Sequence, residues 1–211
     1  MLDEGVRQGL KPTRLHVIIR PRGGDFLYTE LELQRMIDDI RICRELGADG
    51  VVFGCLQPDG TLDTEANARL LEAALSTVNS QLSITFHRAF DRCANPATAL
   101  EELITQGFDR VLTSGQQPTA QLGIPLLKAL HEQARGRIII LAGCGVNEQN
   151  IRRIHEGTGI TEFHFSAREP LRSQMQFSNP DVYMGAVGAD EDTILRTTSR
   201  RVSATIAALK S

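Results

Sequence analysis

Residues 83–115 read SITFHRAFDRCANPATALEELITQGFDRVLTSG. Two short apolar runs, SITFHR (83–88) and DRVLTS (109–114), flank a segment of helical period from Pro96 to Gln106. Asn95 offers a side-chain oxygen ahead of that helix, and Pro96 takes its first position, where the missing N–H costs nothing. Gly107 follows the last helical residue, where the left-handed backbone of a helix stop favours glycine. The stretch is one strand–helix–strand unit, and such units pair their strands in parallel through right-handed crossovers.

The same unit recurs on both sides. Apolar runs of strand length stand at LHVIIR (15–20), DGVVFG (49–54), RIIILA (137–142) and TEFHFS (161–166). Helical periods fill Glu30–Leu46, Thr64–Leu75, Ile124–Gln133 and Asn147–Glu156, with Gly47 and Gly157 as further stops. Strands starting at 15, 49, 83, 109, 137 and 161 lie 24 to 34 residues apart. That regularity predicts an α/β fold of the TIM type, a (β/α) barrel at roughly 30 residues per unit. A doubly wound sheet is the structural alternative. Gly143-Cys144-Gly145 follows a strand, but Glu148 stands where a dinucleotide fingerprint needs its third glycine.

The polar stretch from Arg168 to Asp192 has little periodicity and reads as a long loop. Glu191 to Leu209 reads as a final helix. No composition shift marks a boundary, so residues 1–211 are expected to form a single barrel domain. Six units account for the 211 residues, whereas an eight-stranded barrel normally runs to ~250. The expectation is an incomplete barrel with six of eight strands, whose edges LHVIIR and TEFHFS need covering by a partner.

Composition narrows the function. The chain is 41% apolar and 23% charged, with a formal net charge of −3, which excludes a disordered chain. No apolar run approaches the ~20 residues of a membrane span. MLDEGVRQGLKPTR lacks the apolar core of a secretory signal. With no basic run and 5% aromatic residues, nucleic acid is a poor partner. Cys43, Cys55, Cys93 and Cys144 lie far apart with no CxxC pair, which fits unpaired thiols in a reducing cytoplasm.

In a parallel barrel the chemistry sits where strands end. After the first strand come Arg20 and Arg22 with a Gly23-Gly24 turn, a site suited to phosphate or carboxylate. Period two on the third strand sends Ser83, Thr85 and His87 to one face and Ile84 and Phe86 to the other. The apolar face meets the helices, so His87 enters the mouth as a candidate acid or base, with Asp91 to orient it or to pair with Arg88. Ser114 ends the fourth strand. Gly143 and Gly145 precede a helix, as anion-binding turns do. The same alternation puts His164 and Ser166 with Glu162 on one face. No GxSxG elbow or HExxH pair supports a serine triad or a hydrolytic zinc. Cys55, Cys93 and Cys144 all follow strands at one rim, and thiolates select soft ions such as Cu(I).

Five ordered motifs, IRPRGGDFLY, GADGVVFG, ITFHRAFD, RVLTSG and TEFHFSAR, resemble the copper homeostasis protein CutC family from about Leu15 to Arg168. The resemblance implies a TIM barrel, a cytoplasmic setting, Cu(I) handling and a homo-oligomer. Members of that family begin with two further strand–helix units that carry cysteines; Met1 to Thr13 resembles only the end of the second helix, as an internal start would. The family also tends to have glycine where Cys144 stands. Two functions follow: a cytoplasmic Cu(I)-binding homeostasis protein, with Cys55, Cys93 and Cys144 as ligands, or an enzyme acting on a small anion through Arg20, His87 and His164.

Overall fold

The computed structural model describes residues 13–75, 82–179, 181–186, 188 and 190–210. Strands β1 (His16–Ile18), β2 (Gly50–Phe53), β3 (Ser83–Phe86), β4 (Arg110–Thr113), β5 (Ile139–Gly143) and β6 (Glu162–His164) form one sheet in sequential order. Every neighbouring pair is parallel. Sequential order excludes the doubly wound alternative, whose strand order reverses at a switch point. Among the described residues β1 and β6 do not pair, so the six strands make an open, curled half-barrel. Met1 to Pro12, read above as the end of a helix, lie outside the described residues.

Helices α1 (Glu30–Glu45), α2 (Thr64–Leu75), α3 (Pro96–Gln106), α4 (Ile124–Ala134) and α5 (Ile151–Thr158) follow the first five strands in turn. Asn95 accepts from the Ala97 and Thr98 amides, and Gly107 closes α3 at φ 88°, as the opening stretch predicts. Asp49 and Asp109 lie ahead of β2 and β4. Each accepts an amide from the preceding strand's chain, Leu15 and Ile84 respectively, both at 2.7 Å.

The convex face of the sheet is dry. Val51, Phe53, Ile84, Phe86, Val111, Ile140 and Ala142 are buried there with Met36, Ile40, Leu70, Leu100, Leu103, Leu127 and Ile151 from the helices. Burying whole Leu, Ile or Phe side chains contributes about 1.5–3 kcal/mol each before entropy is counted. The concave face carries the alternate residues and is left for function.

Three expectations are corrected. Residues 168–192 are not all loop: β7 (Arg168–Arg172) pairs antiparallel with β8 (Thr193–Thr197). Both strands are mostly exposed, so neither shows the apolar alternation of a half-buried strand. The last helix, α6 (Ser199–Lys210), therefore begins at Ser199 and not near Glu191. Thr193, Ile194 and Thr197 are β-branched and favour the strand, and Thr198 accepts the Arg201 amide as the helix begins. Finally, α5 starts at Ile151 after a turn tied by Asn147 and Asn150. It runs through Gly157 and stops at Gly159, whose φ is 77°. Among the described residues no helix is long and apolar enough to cross a membrane.

Candidate functional site

The concave face encloses a cavity of about 1410 Å³, lined along its length by the inward residues of the strands. His16, Arg110 and Glu162 stand at the strand starts; Arg20, His87, Arg88, Asp91 and His164 stand at the strand ends, with Phe26 and Arg92. Five of the lining residues are arginines: Arg14, Arg20, Arg88, Arg92 and Arg110.

His87 is the most constrained of them. It is 3% exposed and caps the short 3₁₀ turn Arg88–Arg92, its Nδ1 accepting the Ala89 amide at 3.3 Å. Gly54 makes this possible: a Cβ at that position would come within 2.9 Å of His87 Nδ1 and 2.8 Å of the Phe86 ring. The imidazole packs on Phe26 at 4.9 Å between ring centroids and edge-on to Phe86 at 6.0 Å. Burial first, and the nearby Arg20 charge second, lower its pKa from 6.5 to about 4. Its Nε2 is buried and has no hydrogen-bond partner among the described residues.

Arg20 stacks over Phe26 at 4.7 Å and donates to Gly24 O at 2.9 Å. Its guanidinium has no carboxylate partner among the described residues. Arg22 differs. It donates from Nε to Glu32 at 2.6 Å, pairs with Asp25 at 2.8 Å and donates to Leu27 O at 2.7 Å. Glu32 completes a capping box with Thr29 at the start of α1. Arg22 is thereby spent on holding the turn, and it does not line the cavity.

Asp91 takes the Arg88 alternative and not the His87 one. Its side chain is 7% exposed and accepts Arg88 Nε at 2.7 Å. It also accepts Thr113 Oγ1 at 2.5 Å and the Ser114 and Gln116 amides at 2.9 and 3.1 Å. Ser114 belongs to this cage: its Oγ accepts Arg88 Nη2 at 3.1 Å and lies 2.6 Å from Gln117 O. It is buried and does not line the cavity. The cage holds Arg88 toward the mouth, where burial first and that charge second lower the pKa of His164.

Gly143 lies against His164 and leaves room for Leu112 Cδ1, which a Cβ would meet at 2.5 Å. Gly145 has φ 72°, and its carbonyl accepts from Asn147 and Asn150. Ser166 is exposed beyond β6, its carbonyl accepting the Thr197 hydroxyl at 2.8 Å. These three residues therefore stand outside the group that faces the cavity centre.

The thiols are not brought together: among the described residues no three metal-ligating side chains form a group. Cys55 is buried, its thiol pushed up by desolvation and by Asp63. Desolvation and Asp91 push Cys93 up to about 11. Cys144 is half-buried, with Sγ 3.1 Å from Pro118 O. Cys55 and Cys93, both pushed toward the protonated thiol, do not fit a thiolate Cu(I) site, since the thiolate is the ligand form.

His16 and Arg110 escape a reading confined to strand ends, because each opens a strand. Arg110 donates to Glu162 at 2.7 Å and to Ser83 at 2.7 Å. Alternation back from Leu112 would have turned Arg110 inward.

A parallel sheet in sequential order, with a cavity running to its strand ends, defines a (β/α)-barrel protein. An aldolase structure superposes with a TM-score of 0.55 at 12% identity over 76% of this chain and 72% of that one, a likeness of fold alone. The CutC family matches residues 2–169, and the chain belongs to that family. The family protein CutC of Bacteroides thetaiotaomicron is 58% identical over 206 residues, 97% of this chain and 81% of the relative. The human copper homeostasis protein cutC homolog is 51% identical over 170 residues, 81% of this chain and 60% of the relative. A CutC crystal structure from Streptococcus agalactiae superposes with a TM-score of 0.68 at 35% identity, covering 77% of both chains.

Proposed function

We propose that this chain serves copper homeostasis, the role for which its relatives are named, by binding and acting on a small anionic molecule in the half-barrel cavity. The observation that carries this reading is Arg20, an arginine at the cavity mouth with no carboxylate partner among the described residues. Arg88 and Arg92 line the same cavity. Guanidinium groups on a partly enclosed wall favour phosphate and carboxylate ligands. His87 and His164, both held below the ordinary imidazole pKa, are neutral at physiological pH and available for proton transfer.

Direct Cu(I) binding at Cys55, Cys93 and Cys144 is the other reading. It draws on the relatives' names, while the lack of a metal-ligating group among the described residues and the raised pKa values of Cys55 and Cys93 argue against it. The place of action is the cytoplasm, a reading supported by four free cysteines. A second copy covers the open edges of β1 and β6, in keeping with the exposed Leu15 just ahead of β1.

Calorimetric titration with inorganic phosphate and with glutarate tests the anion reading. Arg20→Ala is expected to weaken binding roughly tenfold, the worth of one charge-assisted contact. Equal affinity in the variant overturns it. In parallel, Cu(I) titration against a chelator should give the same weak binding in wild type and in a Cys55/Cys93/Cys144 triple-serine variant. Tight binding lost in the triple variant restores the thiolate reading.

A further inference from the structure

We propose that His87 is a specificity residue: its Nε2–H donates to a carbonyl oxygen on the ligand, so that the anion taken by this cavity is an oxo acid. This rests on the anion reading above and adds the uncharged half of the ligand.

The tautomer follows from the local chain. A neutral imidazole has one donor and one acceptor nitrogen. The Ala89 amide donates to Nδ1, which makes Nδ1 the acceptor and leaves the proton on Nε2. That N–H is unpartnered among the described residues and closed to solvent, in a side chain that lines the cavity, so a ligand oxygen reaches it by displacing the contacts over it. A buried donor left unmade is costly, so an orphan of this kind calls for a partner.

The partner's chemistry follows from what surrounds it. Phe26 and Phe86 pack on the imidazole, an apolar setting in which an unpaired charge is costly. The charge has its own place on the far partner of the same ring, since Arg20 also packs on Phe26. One short molecule can therefore put its anionic group at Arg20 and an uncharged oxygen at His87. A hydroxyl there brings a proton that needs a second acceptor. A carbonyl only accepts and matches a nitrogen that only donates.

Two measurements test this. The first compares 2-oxoglutarate with glutarate, which differ by the carbonyl, by calorimetry on wild type and on His87→Asn. Asparagine keeps an N-cap oxygen for the Ala89 amide but is too short to replace Nε2–H. Wild type should prefer the oxo acid by roughly tenfold, as a site built around one buried hydrogen bond does. His87→Asn should lose that preference and bind the two acids alike. Equal binding of the two acids by wild type, or equal loss of both in the variant, overturns the assignment of His87. Failure of wild type to bind either acid overturns the anion reading instead. The second measurement needs no ligand: nitrogen-15 chemical shifts of His87 near pH 7 should show the Nε2–H tautomer, and an Nδ1–H tautomer refutes the proposal even if binding is too weak to compare.

Discussion

His87 makes the stability of this protein depend on pH in a way that can be worked out in advance. Its imidazole titrates at about 4 when folded and near 6.5 when unfolded. Above pH 6.5 both states are neutral at this residue and nothing changes. As pH falls below 6.5, the unfolded chain takes up a proton that the folded chain refuses until about pH 4, so unfolding is favoured across that window. Each tenfold difference in proton affinity is worth about 1.4 kcal/mol, so the full loss is on the order of 3 kcal/mol, with about 2.5 kcal/mol of it by pH 4.5. His16 and His164 are lowered as well and add to the same slope. Exposed carboxylates such as Glu101, held at about 2 by Arg137, act only at lower pH. The comparison that isolates His87 is urea unfolding of wild type and His87→Asn between pH 7.5 and 4.5. The variant should lose about 2.5 kcal/mol less than wild type over this range. Parallel curves, within about 0.5 kcal/mol at every pH, would refute the burial argument.

The Asp91 cage predicts that Asp91→Asn, which turns an N–H toward groups that are themselves donors, costs about 3 kcal/mol by chemical denaturation. A loss below about 1 kcal/mol contradicts the cage. The same substitution frees Arg88, so the pKa of His164, followed by proton NMR, should also move. Cys144 has φ 78°, a conformation that suits glycine, and Cys144→Gly should gain about 0.5–1 kcal/mol in the same assay. An unchanged or lowered midpoint would show that the Sγ contact with Pro118 outweighs the strain.

Much of the fold is legible because the forces that set it are local and periodic. Ile84 and Phe86 had to face the helices once Ser83, Thr85 and His87 faced inward, and Asn95, Pro96 and Gly107 bound their helix through contacts within a few residues. The β7–β8 hairpin is not legible in this way. Its strands are held by backbone pairing between residues as far apart as Arg168 and Thr197, with little burial to imprint a pattern. The site divides similarly. Alternation and strand ends lead to Arg20, His87, Arg88 and His164. The fate of Arg22 depends on Glu32, ten residues on, and that of Ser114 on Asp91, in the turn after the neighbouring strand. Such partners are fixed by the tertiary fold, which is also why three rim thiols that follow strands need not meet.

Arg110 and Glu162 belong to strands separated by β5, with Ser83 one strand further on the other side. Adjacent strands lie about 4.8 Å apart, so in a flat sheet a side chain on β4 would have to cross roughly twice that distance to reach one on β6. Contacts at 2.7 Å on both sides act as a tie-rod across the concave face and favour bending over flatness. The curvature of this sheet is therefore written partly into its own six strands and does not depend wholly on closing the ring. Cutting the tie lets the outer strands splay, widening the chamber at its floor while the ligand groups at the rim keep their places.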